Sequence, residues 1–367
     1  MTIRAITLRV LLAAWMAQTS IVEGGPRPPH LWAVMFAHAT QQAAMPNSDA
    51  DLRCMVNLSG YALSYPPQQW AATPLVTDLA VVRESTPDPQ AVFAQVLEVL
   101  KRNNLNAQVG TYISGGQVNS DIRHYPPEVI DAKQIPVHWL RPNTNRVDLA
   151  NAEAAEGFAG LIVAECRKRE GRFVFLDNIV HPSSLPGWFP WEATCRFLSR
   201  VKGPLNENGK LLIANVAVAS WAMSDEDVRL LGESVDGMAF EMPFLKHARG
   251  NRERTKRQID VYRLWLSQKK IVVLIPVDES LETPAEIEQE IKMLAGFAAL
   301  LRNRGDSLFV AWPFWKPTPD WADLPQRLGE PAGTWEFESD GVLSRKFQGG
   351  AIRVDVLQKE VRLPAPR

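Results

Sequence analysis

Residues 171–192 of this 367-residue chain read "GRFVFLDNIVHPSSLPGWFPWE". The four consecutive apolar residues, 173–176, predict a strand that is buried on both faces, as strands of parallel sheets are. The strand runs directly into Asp177 and Asn178, and a loop rich in Gly, Pro, Ser and Trp follows. This pattern predicts that a buried strand presents a carboxylate to an aromatic-lined loop.

Similar apolar runs recur along the chain and alternate with amphipathic helical patterns. The predicted strands are 55–59, 78–82, 107–114, 172–177, 210–216, 237–241, 270–277 and 307–314, and the segment 31–39 competes with 55–59 for the first place. Eight strands with helical crossovers predict the α/β class and a (β/α)8 TIM barrel. A doubly wound open sheet is the alternative, but the first strand–helix turn lacks a Gly-rich phosphate loop.

Two terminal segments differ from the barrel, which we assign to residues 30–328. Residues 330–367 alternate apolar and polar side chains, with turn signals at 339–341 and 349–350, and predict a small antiparallel β appendage. In residues 1–25, two arginines precede a short apolar run, which predicts a signal peptide, with an amphipathic or disordered leader as the alternative. We therefore expect a secreted or periplasmic protein, and otherwise a cytoplasmic one.

Charge and cysteine content exclude several classes of function. The net charge of -1 gives no global indication of nucleic acid or of an anionic membrane, and the basic run 246–258 is typical of a solvated helix face. No segment outside the leader is long and apolar enough to span a membrane. Cys54, Cys166 and Cys195 lack metal spacing and are expected to be buried thiols, so we predict neither a metal site nor a cofactor.

Candidate chemistry lies where the predicted strands end, because the carboxyl ends of barrel strands carry the reacting groups. Asp177 and Glu241 end the fourth and sixth strands. Two carboxyl groups, one ionised and one protonated, are the minimum equipment for glycoside hydrolysis, and an apolar environment favours the protonated form. The alternatives are structural: a helix cap or hydrogen-bond acceptor at Asp177, and an ion pair with Arg83 or Lys246 at Glu241.

Further polar and aromatic residues are candidates for binding the sugar. They are Tyr112, Asn178, Asn215, Asp278, Trp312, Trp315, Arg83 and His181, with Trp188 and Trp191 as additional aromatic platforms. Each has a structural alternative, which is loop anchoring for the amides, capping for Asp278, and core packing for the aromatic rings.

Four segments carry a resemblance to a known family: "VDLANAEA", "FVFLDNI", "DGMAFEMPF" and "DGVLSRKFQGGAIRV". Their order and spacing resemble a family of bacterial glycoside hydrolases that is distantly related to the α-galactosidase clan and to endo-α-1,4-polygalactosaminidase. The resemblance covers most of residues 78–355 and implies a (β/α)8 barrel, a glycan substrate, a nucleophile at Asp177 and an acid/base at Glu241. The clan usually has Asp at the second position, so Glu241 departs from its pattern.

Three classes of function follow from these observations. The first is a glycoside hydrolase that cleaves a poly- or oligosaccharide with the carboxylate pair and needs no cofactor. The second is a non-catalytic carbohydrate-binding protein on a barrel scaffold, since fold does not guarantee chemistry. The third is a lyase or isomerase, which would require a metal or a phosphate grip, and the sequence shows neither.

Overall fold

The computed structural model describes fourteen segments of the chain: residues 32–38, 77–83, 108–115, 117–119, 134–136, 144–168, 171–182, 190–217, 220–241, 251–275, 284–303, 306–311, 328–339 and 341–363. Eight parallel strands form the central sheet. They are β1 (Trp32–His38), β2 (Thr77–Arg83), β3 (Gln108–Ser114), β7 (Phe173–Val180), β8 (Leu211–Ala217), β9 (Gly237–Glu241), β10 (Ile271–Ile275) and β11 (Leu308–Ala311).

The strand order is that of a closed barrel, β1-β2-β3-β7-β8-β9-β10-β11, because β1 pairs with both β2 and β11. Five α-helices are described: α1 (Ala152–Arg167), α2 (Trp191–Glu207), α3 (Asp225–Ser234), α4 (Arg252–Ser267) and α5 (Pro284–Leu301). The last four connect successive strands from β7 to β11. Parallel strands joined by helices confirm the predicted α/β class.

A small antiparallel sheet is inserted between β3 and α1. It contains β4 (Gln117–Asn119), β5 (Gln134–Pro136) and β6 (Thr144–Val147), in the order β4-β6-β5. This sheet is not predictable from the sequence, because strands of three or four mostly polar residues show no apolar period.

Alternate residues of β7, β8, β9 and β10 belong to two different cores, as the two-residue period of a strand requires. Leu212, Ala214 and Val216 of β8 pack in one apolar cluster with residues of the surrounding helices. Ile213, between them, is equally buried but lies outside that cluster, on the inward-facing side of the barrel. This double burial explains why the strands read as continuous apolar runs.

Polar side chains define the starts of three helices. Asn151 and Asn251 cap α1 and α4 by accepting backbone N–H groups three residues later, at 3.0 Å each. Ser224 caps α3 in a capping box with Asp227, whose carboxylate accepts the Ser224 N–H in return. These caps fix where each helix begins next to the carboxyl end of a strand.

The C-terminal segment is an antiparallel sheet that packs on α5. Its strands are β12 (Glu336–Ser339), β13 (Val342–Phe347), β14 (Gly350–Asp355) and β15 (Glu360–Arg362). Buried Arg345 donates to the carbonyls of Leu300 and Arg302, 2.8 Å each, at the end of α5. Gly296 of α5 allows the sheet to pack closely on the helix, because a Cβ there would lie 2.8 Å from the side chain of Val361. The predicted antiparallel appendage is confirmed.

Seven predicted strands, from 78–82 to 307–314, are present with ends shifted by no more than three residues. The first strand of the barrel is Trp32–His38, the competing segment, whereas 55–59 lies outside the described residues. Cys166 and Cys195 are free and buried, as predicted, and burial raises the pKa of each thiol to about 12. Among the described helices, none has the length and apolar character needed to cross a membrane.

Candidate active site

The strand β7 carries a β-bulge at the two residues that the sequence singled out. Leu176 pairs with Ala214 and Ile179 pairs with Val216, so Asp177 and Asn178 together stand opposite Asn215 of β8. Asn178 has a φ of 61°, in the left-handed region that Asn tolerates better than most residues. Bulges of this kind occur next to active sites, where they redirect a side chain.

Gly115, directly after β3, holds the backbone of the bulge. Its N–H donates to the carbonyl of Asp177 at 2.6 Å. A Cβ at Gly115 would lie 2.5 Å from Cγ of Leu176 and 3.0 Å from the carbonyl oxygen of Asp177. Only glycine allows this approach, so the loop after β3 and the bulge of β7 fit together as one unit.

The carboxylate of Asp177 is held by two side-chain amides. Nδ2 of Asn215 donates to Oδ1 at 2.7 Å, and Nδ2 of Asn178 donates to Oδ2 at 3.1 Å. Asn215 is only 4% exposed, whereas Asp177 and Asn178 are half-buried. The result is an oriented carboxylate with a partly accessible face at the carboxyl end of a parallel strand, where barrel enzymes carry out chemistry.

Strand register relates Glu241 to this carboxylate. Asn215 pairs with Ala239 of β9, and Glu241 lies two residues further along that strand, in register with Ile275. Positions two apart share a face of a strand. The backbone of Glu241 therefore ends β9 in the same alternating set as Asn215, one strand beyond it.

Register also locates two other predicted residues by their backbone. Arg83, the last residue of β2, pairs with Tyr112 of β3, and Tyr112 pairs with Phe175 of β7. Ser114, two residues after Tyr112, pairs with Asp177. Arg83 and Tyr112 therefore lie near the carboxyl end of the sheet. They are on the side of Asp177 that faces away from Asn215 and β9.

His181 lies one residue beyond the end of β7 and is 5% exposed. Its ring packs edge-on against Trp191 of α2, with centroids 4.7 Å apart, and its Nε2 is 3.3 Å from Oδ2 of Asp227. Desolvation lowers the pKa of His181, and Asp227 partly opposes that effect. Trp191 is 3% exposed and its indole N–H donates to the carbonyl of Asp227, so Trp191 packs in the core rather than serving as a sugar platform.

Three predicted binding residues, Asp278, Trp312 and Trp315, lie outside the described residues, as does Trp188. Within the described segments, no group of three or more His, Cys, Asp and Glu side chains is arranged to hold a metal ion. Of the predicted site residues, Asp177, Asn178 and Asn215 are in direct contact with one another through the Asp177 carboxylate.

Comparisons with known proteins find no matching protein-family model and no curated protein of matching sequence. Solved structures do match. The α-amylase of Anoxybacillus, whose structure is described as providing insights into a new glycosyl hydrolase subclass, has a TM-score of 0.53 at 8% identity and covers 88% of this chain and 85% of its own.

Two further matches have lower TM-scores. The glycoside hydrolase domain of PelA from Pseudomonas aeruginosa has a TM-score of 0.46 at 17% identity, over 77% of this chain and 94% of that domain. Ega3 of Aspergillus fumigatus, solved with galactosamine, has a TM-score of 0.44 at 10% identity, over 78% and 92%. The structural neighbours are glycoside hydrolases. The resemblance stated from the sequence is confirmed as a distant likeness of fold.

Sequence reasoning missed Gly115 and the bulge. A signal for Gly115 existed, because a Gly pair directly after a strand, here 115–116, indicates a close approach of backbone. It also missed that Asn215 binds Asp177, since that bond depends on which strand lies next to β7 and in what register.

Proposed function

We propose that this chain is a glycoside hydrolase on a (β/α)8 TIM barrel, spanning about residues 30–328, which cleaves a glycosidic bond of a poly- or oligosaccharide. One observation carries the proposal. The carboxylate of Asp177 is half-buried at the carboxyl end of a parallel strand, and the amides of Asn215 and Asn178 orient it there. An oriented acid at this end of a barrel suits attack on a sugar or activation of water.

Asp177 and Glu241 take the two carboxyl roles in this proposal. Adjacent strands lie about 4.8 Å apart, so β7 and β9, which are separated by β8, have backbones about 9–10 Å apart across the sheet. Glycosidases place their two carboxyl groups about 5–9.5 Å apart. The strand order therefore supports a pair in which Asp177 acts as nucleophile or base and Glu241 as general acid.

In the retaining form of the reaction, a carboxylate oxygen of Asp177 forms a bond to the anomeric carbon while the bond from that carbon to the leaving oxygen breaks. Glu241 gives its proton to the leaving oxygen. Water then attacks the glycosyl ester, Glu241 takes a proton from it, and the Asp177 carboxylate is released. In the inverting form, Asp177 instead removes a proton from the attacking water.

The remaining predicted residues surround this pair in the proposal. Arg83 ends β2 and Tyr112 lies two residues before the end of β3, both on one side of β7. Asp278, Trp312 and Trp315 follow β10 and β11 in the sequence. Sugar rings stack on aromatic side chains and their hydroxyls bind amides and carboxylates, which suits this set. His181 is buried one residue beyond the end of β7 and packs against Trp191, so in this proposal it supports the sugar site without contacting the sugar.

The test is the replacement Asp177→Asn, which keeps the shape of the side chain and removes its nucleophilic or basic oxygen. We expect turnover to fall by at least about 10⁴-fold with the protein still folded, as for the loss of an essential catalytic carboxylate. Release of reducing ends would be measured on α-glucans, β-glucans and α-1,4-linked galactosaminans, and on a panel of 2,4-dinitrophenyl glycosides. Retention of wild-type turnover in this variant would contradict the proposal.

Asp236→Asn is the matched control, because Asp236 also accepts an Asn amide but lies at the amino end of β9. It should retain turnover while it remains folded.

Proton NMR of the first product anomer then separates retention from inversion. If the wild-type protein binds glycans of this panel but cleaves none, the carbohydrate-binding alternative replaces the hydrolase.

We also propose export, on the basis of the leader pattern in residues 1–25 alone. Expression of the full chain with a C-terminal tag, followed by fractionation, tests it. A tagged product that stays at full length in the cytoplasm would overturn it.

A further inference from the structure

The two asparagine amides donate to the Asp177 carboxylate at different distances. Oδ1 accepts from Asn215 at 2.7 Å, the short distance of a charge-assisted hydrogen bond, and Asn215 is almost fully buried. Oδ2 accepts from its half-buried neighbour Asn178 at 3.1 Å. The hydrogen bond to Oδ1 is therefore the shorter of the two and the better shielded from water, which strengthens it.

The backbone beneath this carboxylate is also fixed. Gly115 donates to the carbonyl of Asp177 at 2.6 Å, and strand pairs on both sides of the bulge hold Leu176 and Ile179. With the Cα atom anchored, the orientation of the carboxylate depends on its two side-chain torsions. A hydrogen bond from a rigid neighbouring strand to one oxygen determines where the other oxygen lies.

We propose that Asn215 is a positioning residue: it fixes Oδ1 of Asp177 so that Oδ2 is the oxygen that reacts. This inference rests on the proposed hydrolase function and assigns Asn215 a role other than the sugar contact predicted from sequence. In the retaining reaction, Oδ2 forms the bond to the anomeric carbon as the glycosidic bond breaks and Glu241 protonates the leaving oxygen. Oδ1 becomes the carbonyl oxygen of the glycosyl ester and still accepts from Asn215.

The first test separates positioning from sugar binding. Asn215→Ala should lower kcat about 100-fold, the cost of a misplaced reacting group, and change KM less than about threefold. Asn178→Gly removes the other amide and keeps a backbone that accepts positive φ, so we expect a loss of less than about tenfold. A raised KM with unchanged kcat in Asn215→Ala would assign this residue to the sugar instead.

Asn206→Ala is the matched control for the loss of an asparagine amide. Nδ2 of Asn206 donates to Oδ2 of Asp236 at 2.8 Å, at the amino end of the strands. This variant should lose stability without a change in kcat. If kcat falls equally in the Asn206 and Asn215 variants, the loss at Asn215 is caused by a general loss of rigidity in the barrel, and the positioning role is contradicted.

The second test uses the pH profile, which a merely structural role would not move. In Asn215→Asp, the new carboxylic acid can donate to Oδ1 only while it is protonated. Two carboxyl groups at this distance share one proton and lose it at a raised pH, so kcat/KM should fall as the pH rises above about 5. A profile that matches wild type in shape would overturn the positioning role.

A third measurement does not depend on turnover. In protein labelled with ¹³C at the Asp side-chain carboxyl, the Asp177 resonance is identified by its absence in Asp177→Asn. Loss of the short hydrogen bond in Asn215→Ala should move that resonance, whereas Asn206→Ala should leave it in place. If it stays in place in Asn215→Ala, the positioning role fails; if Asp177→Asn still turns over substrate, the hydrolase proposal fails instead.

Discussion

Two Asn–Asp pairs occupy opposite ends of the same barrel. At the carboxyl end, Asn215 of β8 donates to Asp177 of β7 at 2.7 Å. At the amino end, Asn206 of α2 donates to Asp236, just before β9, at 2.8 Å. The two hydrogen bonds have the same chemistry and nearly the same length, so the bond itself does not determine what either carboxylate does.

The surroundings of the two carboxylates differ. Oδ2 of Asp236 also accepts the backbone N–H of Leu212 at 2.9 Å, and Nζ of Lys202 lies 3.6 Å from its Oδ1. The backbone N–H of Asp236 donates to the carbonyl of Leu212 at 2.9 Å. Asp236 thus ties the starts of β8 and β9 together. Asp177 is oriented by side-chain amides at a bulge, which suits a group that must meet a substrate.

The largest expected effect on stability comes from Asp236→Ala. This change leaves the Leu212 N–H without its side-chain acceptor, removes one of the two acceptors of the Asn206 amide and removes a charged partner of Lys202, so the free energy of unfolding should fall by about 3 kcal/mol. Chemical denaturation monitored by circular dichroism measures it. Asp177→Ala removes the hydrogen bond from Asn215 and should lower the same quantity by a smaller amount, about 1–2 kcal/mol. The reverse ranking would contradict the contrast between a structural carboxylate at Asp236 and a proposed catalytic carboxylate at Asp177.

Gly115→Ala should have the next largest effect. Its Cβ would contact Leu176 and the Asp177 carbonyl, and overpacking of this kind costs about 1–3 kcal/mol. Turnover should also fall about tenfold or more, because the bulge that carries Asp177 must shift.

Gly160→Ala provides the matched control for that change. Gly160 is an exposed residue inside α1, and a Cβ there has open space within 4 Å. Alanine should stabilise the protein by about 0.5–1 kcal/mol without affecting turnover. Gly115→Ala with full turnover and full stability would separate the bulge from the function of Asp177.

The smallest expected effect is the pH dependence of stability, which distinguishes His181 near the carboxyl end of the barrel from Lys270 at the amino end. Desolvation lowers the pKa of His181 from its ordinary 6.5, so the unfolded chain binds its proton first as the pH falls. Its contribution to stability is present above pH 6.5 and is lost as the pH falls from there through its folded-state pKa. At the amino end, desolvation and then Lys202 lower the pKa of Lys270 from 10.5, so the contribution of that group is present above pH 10.5 and is lost as the pH falls from there through its folded-state pKa.

Denaturation measured from pH 7.5 to 5 should therefore show a decline that His181→Phe reduces. Lys270→Met should leave the slope of that decline unchanged. An unchanged slope in His181→Phe would show that other groups cause the acid sensitivity.

The barrel strands were largely predictable, and particular residues show why. Phe173 to Leu176 are each no more than 1% exposed, because one face meets the helices and the other meets the barrel interior. Such double burial imposes a continuous apolar run that is visible in sequence. The start of the barrel was harder to assign, because 31–39 and 55–59 are both short apolar segments and only pairing with β2 and β11 selects Trp32–His38.

Local composition and period encode which faces of each segment are buried. From them the amino-acid sequence specifies the α/β class, the antiparallel C-terminal segment and the set of polar residues at strand ends. The tertiary structure decided which of those residues meet. The contacts of Asp177 with Asn215, 38 positions away, and with the backbone of Gly115, 62 positions away, exist only because β3, β7 and β8 are neighbours in register. Neighbouring strands are chosen by the packing of the whole barrel, which no single segment encodes.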